Sequence, residues 1–202
     1  EAIVIACNTA TAAAAHSLRV KFNKLPIVAM EPAVKPAVAA TKSGVVGVLA
    51  TVGTLESARF AALLEKYAGH VKIVTQGCPG LVELVERGDL HSVEARMLVE
   101  RYTEPLLRQN ADTLILGCTH YPYLDPLIRE AVGEGIALVD TGAAVARELK
   151  RRVDVELPVR TLVGSVGPVS FYTSGDEEHA TRIMSSLWGQ KVEVDPLPQE
   201  FM

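Results

Sequence analysis

Two cysteines stand at places in the sequence where a thiol can do chemistry. Cys7 follows an apolar run at residues 3–6, and Cys118 follows a similar run at residues 114–117. Each run predicts a buried strand, and the residues after each cysteine predict the start of a helix. A thiol at such a junction lies near free backbone N–H groups and the positive end of the helix dipole, which lower its pKa. The sequence therefore predicts two reactive thiols in similar surroundings.

Polar residues beside the thiols can support that chemistry. His120 lies two residues after Cys118, within reach of exchanging a proton with it, although a histidine at a helix start can also simply hydrogen-bond to backbone. Short polar side chains flank the thiols or follow another apolar strand, and they are candidates for binding a carboxylate or an ammonium group, or for capping helices. These residues are Asn8, Thr9, Thr51, Thr54 and Thr119.

A third cysteine lacks this support. Cys78 stands at another strand-to-helix junction, but no candidate base follows it, so we expect a packed thiol. In the helix after it, Glu83 and Glu86 lie three residues apart, and one of them could reach a cleft. No cysteine or histidine cluster has metal-ligand spacing, so we expect no metal. No dinucleotide fingerprint or lysine-centred pyridoxal motif occurs, so we expect no cofactor.

The elements that must position these residues alternate along the chain. Short apolar runs without strict polar alternation suit strands of a parallel sheet that is buried on both faces. The predicted strands cover residues 3–6, 27–30, 45–50, 72–75, 113–116, 137–139 and 170–172. Apolar residues at helical spacing lie between them, including a helix over about residues 93–107 that Pro105 should kink or end. Alternating strands and helices predict an α/β fold.

The two cysteine segments resemble each other, which indicates two related halves. We expect two similar domains, each a mainly parallel sheet flanked by helices, with the active site in the cleft between them, where strands end. The chain is expected to cross from the first domain to the second near Glu31-Pro32 and to return to the first near Asp140-Thr141-Gly142. The predicted domains are residues 1–31 plus 141–202 for the first and residues 32–140 for the second.

Composition narrows the class of protein. The chain has 202 residues, of which 49% are hydrophobic and 22% charged, as in ordinary globular proteins. A net charge of −4 gives no reason to expect nucleic acid as a partner. No apolar stretch is long enough to span a membrane, and three scattered cysteines suit a reducing compartment, so we predict a cytoplasmic protein. Because the sequence starts inside a predicted strand and without Met, we expect a further segment ahead of Glu1.

Four motifs, in order and spacing, resemble the glutamate racemase family within the aspartate/glutamate racemase superfamily. They are ACNTA at residues 6–10, VLATVGT at 48–54, CP at 78–79 with LVE at 84–86, and LGCTHYP at 116–122. The resemblance runs from Ala2 to about Asp176. His120 after the Cys-Thr pair fits the glutamate branch, since aspartate racemases are expected to carry Glu there. The family's Asp-Ser-Gly loop and Pro-Tyr-Gly segment are expected ahead of Glu1.

The resemblance implies a cofactor-independent two-base interconversion of L- and D-glutamate, which supplies D-glutamate for peptidoglycan. It implies two α/β domains and neither pyridoxal phosphate nor metal. Cys7 and Cys118 correspond to the proton-transfer thiols, with Cys7 acting on D-glutamate and Cys118 on L-glutamate. His120 and Glu86 correspond to assisting acid/base residues. The substrate-binding residues implied are Asn8, Thr9, Thr51, Thr54 and Thr119.

The chemistry itself favours a pair of opposed groups. The α-hydrogen of an amino acid is very weakly acidic, so its removal needs a well-placed base and stabilisation of the carbanion. A racemase works in both directions, so one thiolate takes the proton while the opposite thiol returns one. We expect a small-molecule substrate and a homodimer. The alternatives are an aspartate or hydantoin racemase, a non-catalytic binding relative, and a Cys–His hydrolase using Cys118 and His120 that leaves Cys7 without a role.

Overall fold

The structure, a computed structural model, describes residues 1–156, 167–198 and 200. The strands within these residues are β1 (Ile3–Ile5), β2 (Ile27–Ala29), β3 (Val45–Ala50), β4 (Lys72–Gly77), β5 (Thr113–Leu116), β6 (Ala137–Val139), β7 (Phe171–Thr173) and β8 (Val194–Pro196). The α-helices are α1 (Asn8–Lys21), α2 (Val34–Ala40), α3 (Val52–Leu55), α4 (Ala58–Tyr67), α5 (Leu81–Glu86), α6 (Val93–Leu107), α7 (Asp125–Val132), α8 (Gly142–Glu156) and α9 (Glu177–Trp188). A 3-10 helix covers Tyr121–Leu124.

A four-stranded parallel sheet forms the centre, in the order β4-β3-β5-β6. Val48 of β3 pairs with Thr75 on one side and Ile115 on the other. Helices cover both faces, which explains why β3 and β5 are nearly continuous apolar runs. One face packs against α5, α6 and α7, and the other against α2 and α4. All four strands therefore end at one edge, where parallel sheets place their functional residues.

Two smaller parallel sheets complete the architecture. Strand β1 pairs with β2, and β7 pairs with β8. Helix α8 packs against β2, so the chain after residue 140 returns to the first sheet. The predicted α/β class, with parallel sheets flanked by helices, is confirmed. The division into residues 1–31 plus 141–202 and residues 32–140 stays a prediction, although every strand of the central sheet lies within residues 45–139.

The seven strands predicted from the sequence are all present; three have the predicted ends and the other four differ by one or two residues. The prediction missed β8, a three-residue strand that ends in Pro196, and the single turn of α3. Helix α6 includes Pro105 and ends at Leu107, two residues beyond the proline. Leu106 in that last turn is fully buried, and its packing offsets the loss of the proline N–H. None of the helices in the described residues is both long and apolar enough to cross a membrane.

Candidate active site

Cys7 caps a long helix. Its backbone is extended (φ −155°, ψ 126°), and its Sγ accepts the N–H of Ala10 at 3.4 Å, in the first turn of α1. The side chain is partly exposed. A sulfur in this position faces the free N–H groups of the first helical turn and the positive end of the helix dipole. The surroundings predicted for Cys7 are therefore present.

Cys118 lies in different surroundings. It follows β5, but the next helical element is a 3-10 turn that begins at Tyr121, so Cys118 does not cap a helix. The residue is buried, and burial raises the pKa of its thiol, against the backbone N–H groups of His120 and Thr119, which lower it. The nearby Cys7 raises this pKa further. The prediction that both thiols have a lowered pKa is wrong for Cys118, because desolvation outweighs the hydrogen bonds.

A histidine and a carboxylate stand beside Cys118. The Sγ of Cys118 lies 3.6 Å from His120 Nδ1, and His120 Nε2 lies 2.5 Å from Glu86 Oε1. A carboxylate accepts hydrogen bonds, so Nε2 carries the proton and Nδ1 offers its lone pair to the thiol. Glu86 is the last residue of α5, whereas Glu83, one turn earlier, is exposed and not part of this contact. The arrangement lets His120 take the thiol proton while Glu86 stabilises the imidazolium.

One hydrogen bond joins the two cysteine segments. Asn8 Nδ2 donates to the carbonyl of Gly117 at 2.8 Å, across 109 positions of sequence. Asn8 is buried, and within the described residues its Oδ1 accepts no hydrogen bond. Gly117 is required at its position, since a β-carbon there would lie 2.9 Å from the Leu49 carbonyl oxygen. Each end of this bond is one residue from a thiol, so the contact joins the Cys7 junction at the end of β1 to the Cys118 junction at the end of β5 in the central sheet.

Three threonine hydroxyls meet beside Cys7. Thr9 Oγ1 lies 2.9 Å from Thr51 Oγ1 and 3.0 Å from Thr54 Oγ1, and the last two are 3.0 Å apart. Thr51 also caps α3 by accepting the Thr54 N–H. Both predicted roles are therefore possible: Thr51 caps a helix, and the three hydroxyls together can bind a carboxylate. The structure brings together these three predicted residues from two distant segments.

Two cavities border the Cys118 loop. One of about 190 Å³ has room for about six waters at liquid density. Its lining residues are Met30, Leu116, Cys118, Thr119, Pro122 and residues 140–142. The other, of about 430 Å³, lies between His120, Glu86 and helix α9. Sequence reasoning used Asp140 and Thr141 only as a domain boundary and missed them here. Their position after β6, at the same sheet edge as Cys118, was the available signal.

Cys78 is a packed thiol, as expected. It is buried, its Sγ donates to the Gln76 carbonyl at 3.3 Å, and burial raises its pKa to about 12. Across residues 1–156, 167–198 and 200, no group of three or more His, Cys, Asp or Glu side chains could hold a metal ion.

The chain has clear relatives. Residues 1–149 match the family described as Asp/Glu/Hydantoin racemase. Over 199 residues the chain is 55% identical to the glutamate racemase of Pseudomonas paraeruginosa and 52% identical to that of Stutzerimonas stutzeri. Each alignment covers 98% of this chain and 74% of the relative. The chain belongs to the glutamate racemase family. Membership makes it an amino-acid racemase, an isomerase, and favours glutamate over the aspartate and hydantoin alternatives.

Solved structures of the glutamate racemase family share the fold. A glutamate racemase of Bacillus anthracis superposes with a TM-score of 0.83 at 30% identity, covering 98% of this chain and 74% of that one. The Escherichia coli enzyme gives 0.82 at 32% identity, covering 96% and 72%. That structure was determined in complex with L-glutamate and the activator UDP-MurNAc-ala.

Proposed function

We propose that this chain interconverts L- and D-glutamate with two thiols, Cys7 and Cys118, without metal or organic cofactor: one thiolate removes the α-proton and the other thiol donates its own proton to the opposite face. The observation that supports the proposal is the Asn8–Gly117 hydrogen bond, which joins the two cysteine junctions at the ends of strands in two different sheets, in a member of the glutamate racemase family. Two groups on opposite faces of one carbon are what a reaction running in both directions needs.

Cys118 acts with His120 in one direction. His120 Nδ1 accepts the thiol proton, and the thiolate then removes the α-proton of L-glutamate. Glu86 stabilises the imidazolium that this transfer creates. Because burial raises the pKa of Cys118, the thiolate is a stronger base toward carbon once it forms. The thiol of Cys7 donates a proton to the other face, which yields D-glutamate.

Cys7 acts as the base in the reverse direction. Its Sγ faces the N–H groups of the first turn of α1 rather than a neighbouring histidine. It removes the α-proton of D-glutamate, and the Cys118 thiol, with His120 behind it, returns a proton to the opposite face. Cys7 thus acts at the start of a helix, whereas Cys118 acts with a neighbouring histidine.

The polar groups around the thiols supply the substrate contacts. The Oδ1 of Asn8 is a buried acceptor that has no partner among the described residues, which suits the substrate ammonium group. The hydroxyls of Thr9, Thr51 and Thr54 can each turn a proton toward a carboxylate. Thr119 lines both cavities beside Cys118 and is assigned to the substrate as well. Together these groups match the ammonium and carboxylates of glutamate.

The test uses the intact protein with L-glutamate in D₂O and no added cofactor. Deuterium incorporation at the α-carbon is followed by NMR while optical rotation is recorded. Exchange with loss of rotation supports the proposal. Exchange with aspartate or a hydantoin but not glutamate would move the substrate to those alternatives. Exchange with none of them, from a folded protein, would leave the non-catalytic binding relative as the better account.

We further propose that the enzyme works in the cytoplasm as a homodimer and supplies D-glutamate for peptidoglycan. Free thiols at Cys7 and Cys118 require a reducing compartment, which supports the location. Light scattering at micromolar concentration tests the assembly, and a mass equal to one chain would overturn it.

A further inference from the structure

His179 lies where the C-terminal helix meets the Glu86–His120 pair. Asp176 caps α9 and accepts the backbone N–H of His179 at 2.6 Å, which fixes the first turn. From there the imidazole Nε2 lies 2.9 Å from the Glu86 carbonyl oxygen. Its Nδ1 lies 2.8 Å from Arg182 Nη2, one turn along the same helix. The imidazole thus connects α9 to the residue that supports the proton-transfer histidine.

The two partners determine which tautomer His179 adopts. A carbonyl oxygen can only accept, so Nε2 carries the proton. A guanidinium can only donate, so Nδ1 is unprotonated. The ring therefore accepts from Arg182 through Nδ1 and donates to the Glu86 carbonyl through Nε2. The contact is directional and depends on a donor at Nε2, which an apolar side chain of similar size cannot replace.

Glu86 needs such an anchor. It is the last residue of a six-residue helix, where backbone carbonyls lack helical partners. Its side chain is 59% exposed, and exposed ion pairs contribute little by themselves because their side chains must be ordered to form them. The 2.5 Å contact from Glu86 to His120 Nε2 therefore depends on a backbone that is already in place. His179 supplies that restraint by binding the carbonyl of the same residue.

A packing contact reinforces the hydrogen bond. Gly88, two residues after Glu86, has φ +74°, and a β-carbon there would lie 3.0 Å from Ile183 Cδ1 of α9. Ile183 is buried, so α9 lies directly against the turn that ends α5. The end of α5 is therefore held by α9 at two adjacent points, the Glu86 carbonyl and Gly88.

We propose that His179 is a positioning residue for proton transfer at Cys118. It binds the Glu86 backbone so that the Glu86 carboxylate meets His120, which in turn faces the thiol. Within the described residues, the His179 side chain hydrogen-bonds to the Glu86 carbonyl and to Arg182 and not to the thiol, so it acts through Glu86. The inference rests on the two-thiol function proposed above. It assigns α9, a helix far in sequence from both cysteines, a part in only one of the two proton transfers.

The decisive experiment measures primary isotope effects in the intact protein. Values of kcat/KM are determined for both enantiomers of glutamate, with hydrogen and with deuterium at the α-carbon. In H179L, kcat/KM falls roughly tenfold in both directions, since a weaker acid/base group slows the same transition states. The isotope effect rises for L-glutamate, whose proton Cys118 removes, and falls for D-glutamate. A merely structural loss reduces the active fraction and leaves both isotope effects unchanged.

Two further variants complete the test. H179Q keeps a donor for Glu86 and an acceptor for Arg182, so it restores the isotope effects and most of the rate. H16L, which removes an exposed histidine in the middle of α1, leaves both parameters as in the unsubstituted protein. Racemisation with unchanged isotope effects in H179L would overturn the role of His179 alone. An unsubstituted protein that racemises neither enantiomer would overturn the proposed function and this role together.

Discussion

The two ends of β5 treat charge in opposite ways. At the amino end, burial opposes the ionisation of Asp112, but the Thr41 hydroxyl and the N–H groups of Ser43 and Lys42 outweigh it and hold the pKa of that carboxyl well below its usual range. At the carboxyl end, burial raises the pKa of Cys118, and the hydrogen bonds around it do not compensate. Asp112 is therefore ionised near neutral pH, whereas ionisation of Cys118 is disfavoured.

The difference separates a structural group from a catalytic one on the same strand. A permanently ionised carboxylate with several donors locks the loop after α2 to the start of β5, and nothing is gained by moving its proton. A thiol whose ionised form is disfavoured, with a base 3.6 Å away, can lose and regain its proton during turnover. Substitution of Asp112 should therefore change the free energy of unfolding, whereas substitutions around Cys118 should change the rate of racemisation.

The largest effect is expected for Cys118→Ser. The hydroxyl is a far weaker acid than the thiol, so racemisation falls by roughly a thousandfold or more. Loss of optical rotation and α-deuterium incorporation in D₂O measure the rate of racemisation, and circular dichroism checks that the fold is retained. A variant that keeps a near-full rate would remove Cys118 from the mechanism and with it the contrast between the two ends.

Glu86→Gln is expected to reduce kcat by roughly 10- to 100-fold, because the neutral amide no longer stabilises the His120 imidazolium. Glu83→Gln, on the same helix and one turn earlier, is the matched control and leaves kcat unchanged. Steady-state kinetics with both enantiomers provide the measurement. Equal losses in the two variants would point to the charge of α5 as a whole rather than to the Glu86–His120 contact.

Asp112→Asn is expected to lower the free energy of unfolding by about 2 kcal/mol at pH 7, with kcat unaffected, because charge-assisted hydrogen bonds are lost. The folded-state pKa of Asp112 lies below the unfolded value of about 3.9, so this stabilisation is full above that value. It is lost as the pH falls toward the folded pKa. Urea unfolding at several pH values measures it, and a stability gap that grew on acidification would contradict the assignment.

Cys78→Ser is expected to have little effect on turnover. It is the same substitution as in Cys118→Ser, made at the end of β4. The Cys78 thiol is neutral near pH 7 because burial raises its pKa to about 12. The serine hydroxyl can still donate to the Gln76 carbonyl, so kcat stays close to the unsubstituted value. A large loss of kcat in a folded Cys78→Ser protein would contradict the assignment of Cys78 as a packed thiol without a catalytic role.

The sequence predicted the sheet edge well and the electrostatics poorly. Strand positions followed from short apolar runs, and the rule that parallel strands end together placed Cys118 and two of the threonines at one edge of the central sheet. Cys7 lies at the end of β1, in another sheet. The rise in the pKa of Cys118 did not follow, because it depends on burial by residues that are distant in sequence. Glu86 was assigned through family resemblance, since no spacing rule joins it to His120, 34 residues away. His179 gave no signal at all, because its contact is with a backbone carbonyl.

The hydrogen bond between Asn8 and Gly117 also bears on how the molecule folds. Its two ends are 109 residues apart, so the chain must close a very long loop before the bond can form. Contacts of such separation are made late, after local helices and neighbouring strands have formed. Helical structure alone is therefore a poor guide to whether the two thiols are in place. Catalytic competence reports the last stage of folding, at which the two cysteine segments have met.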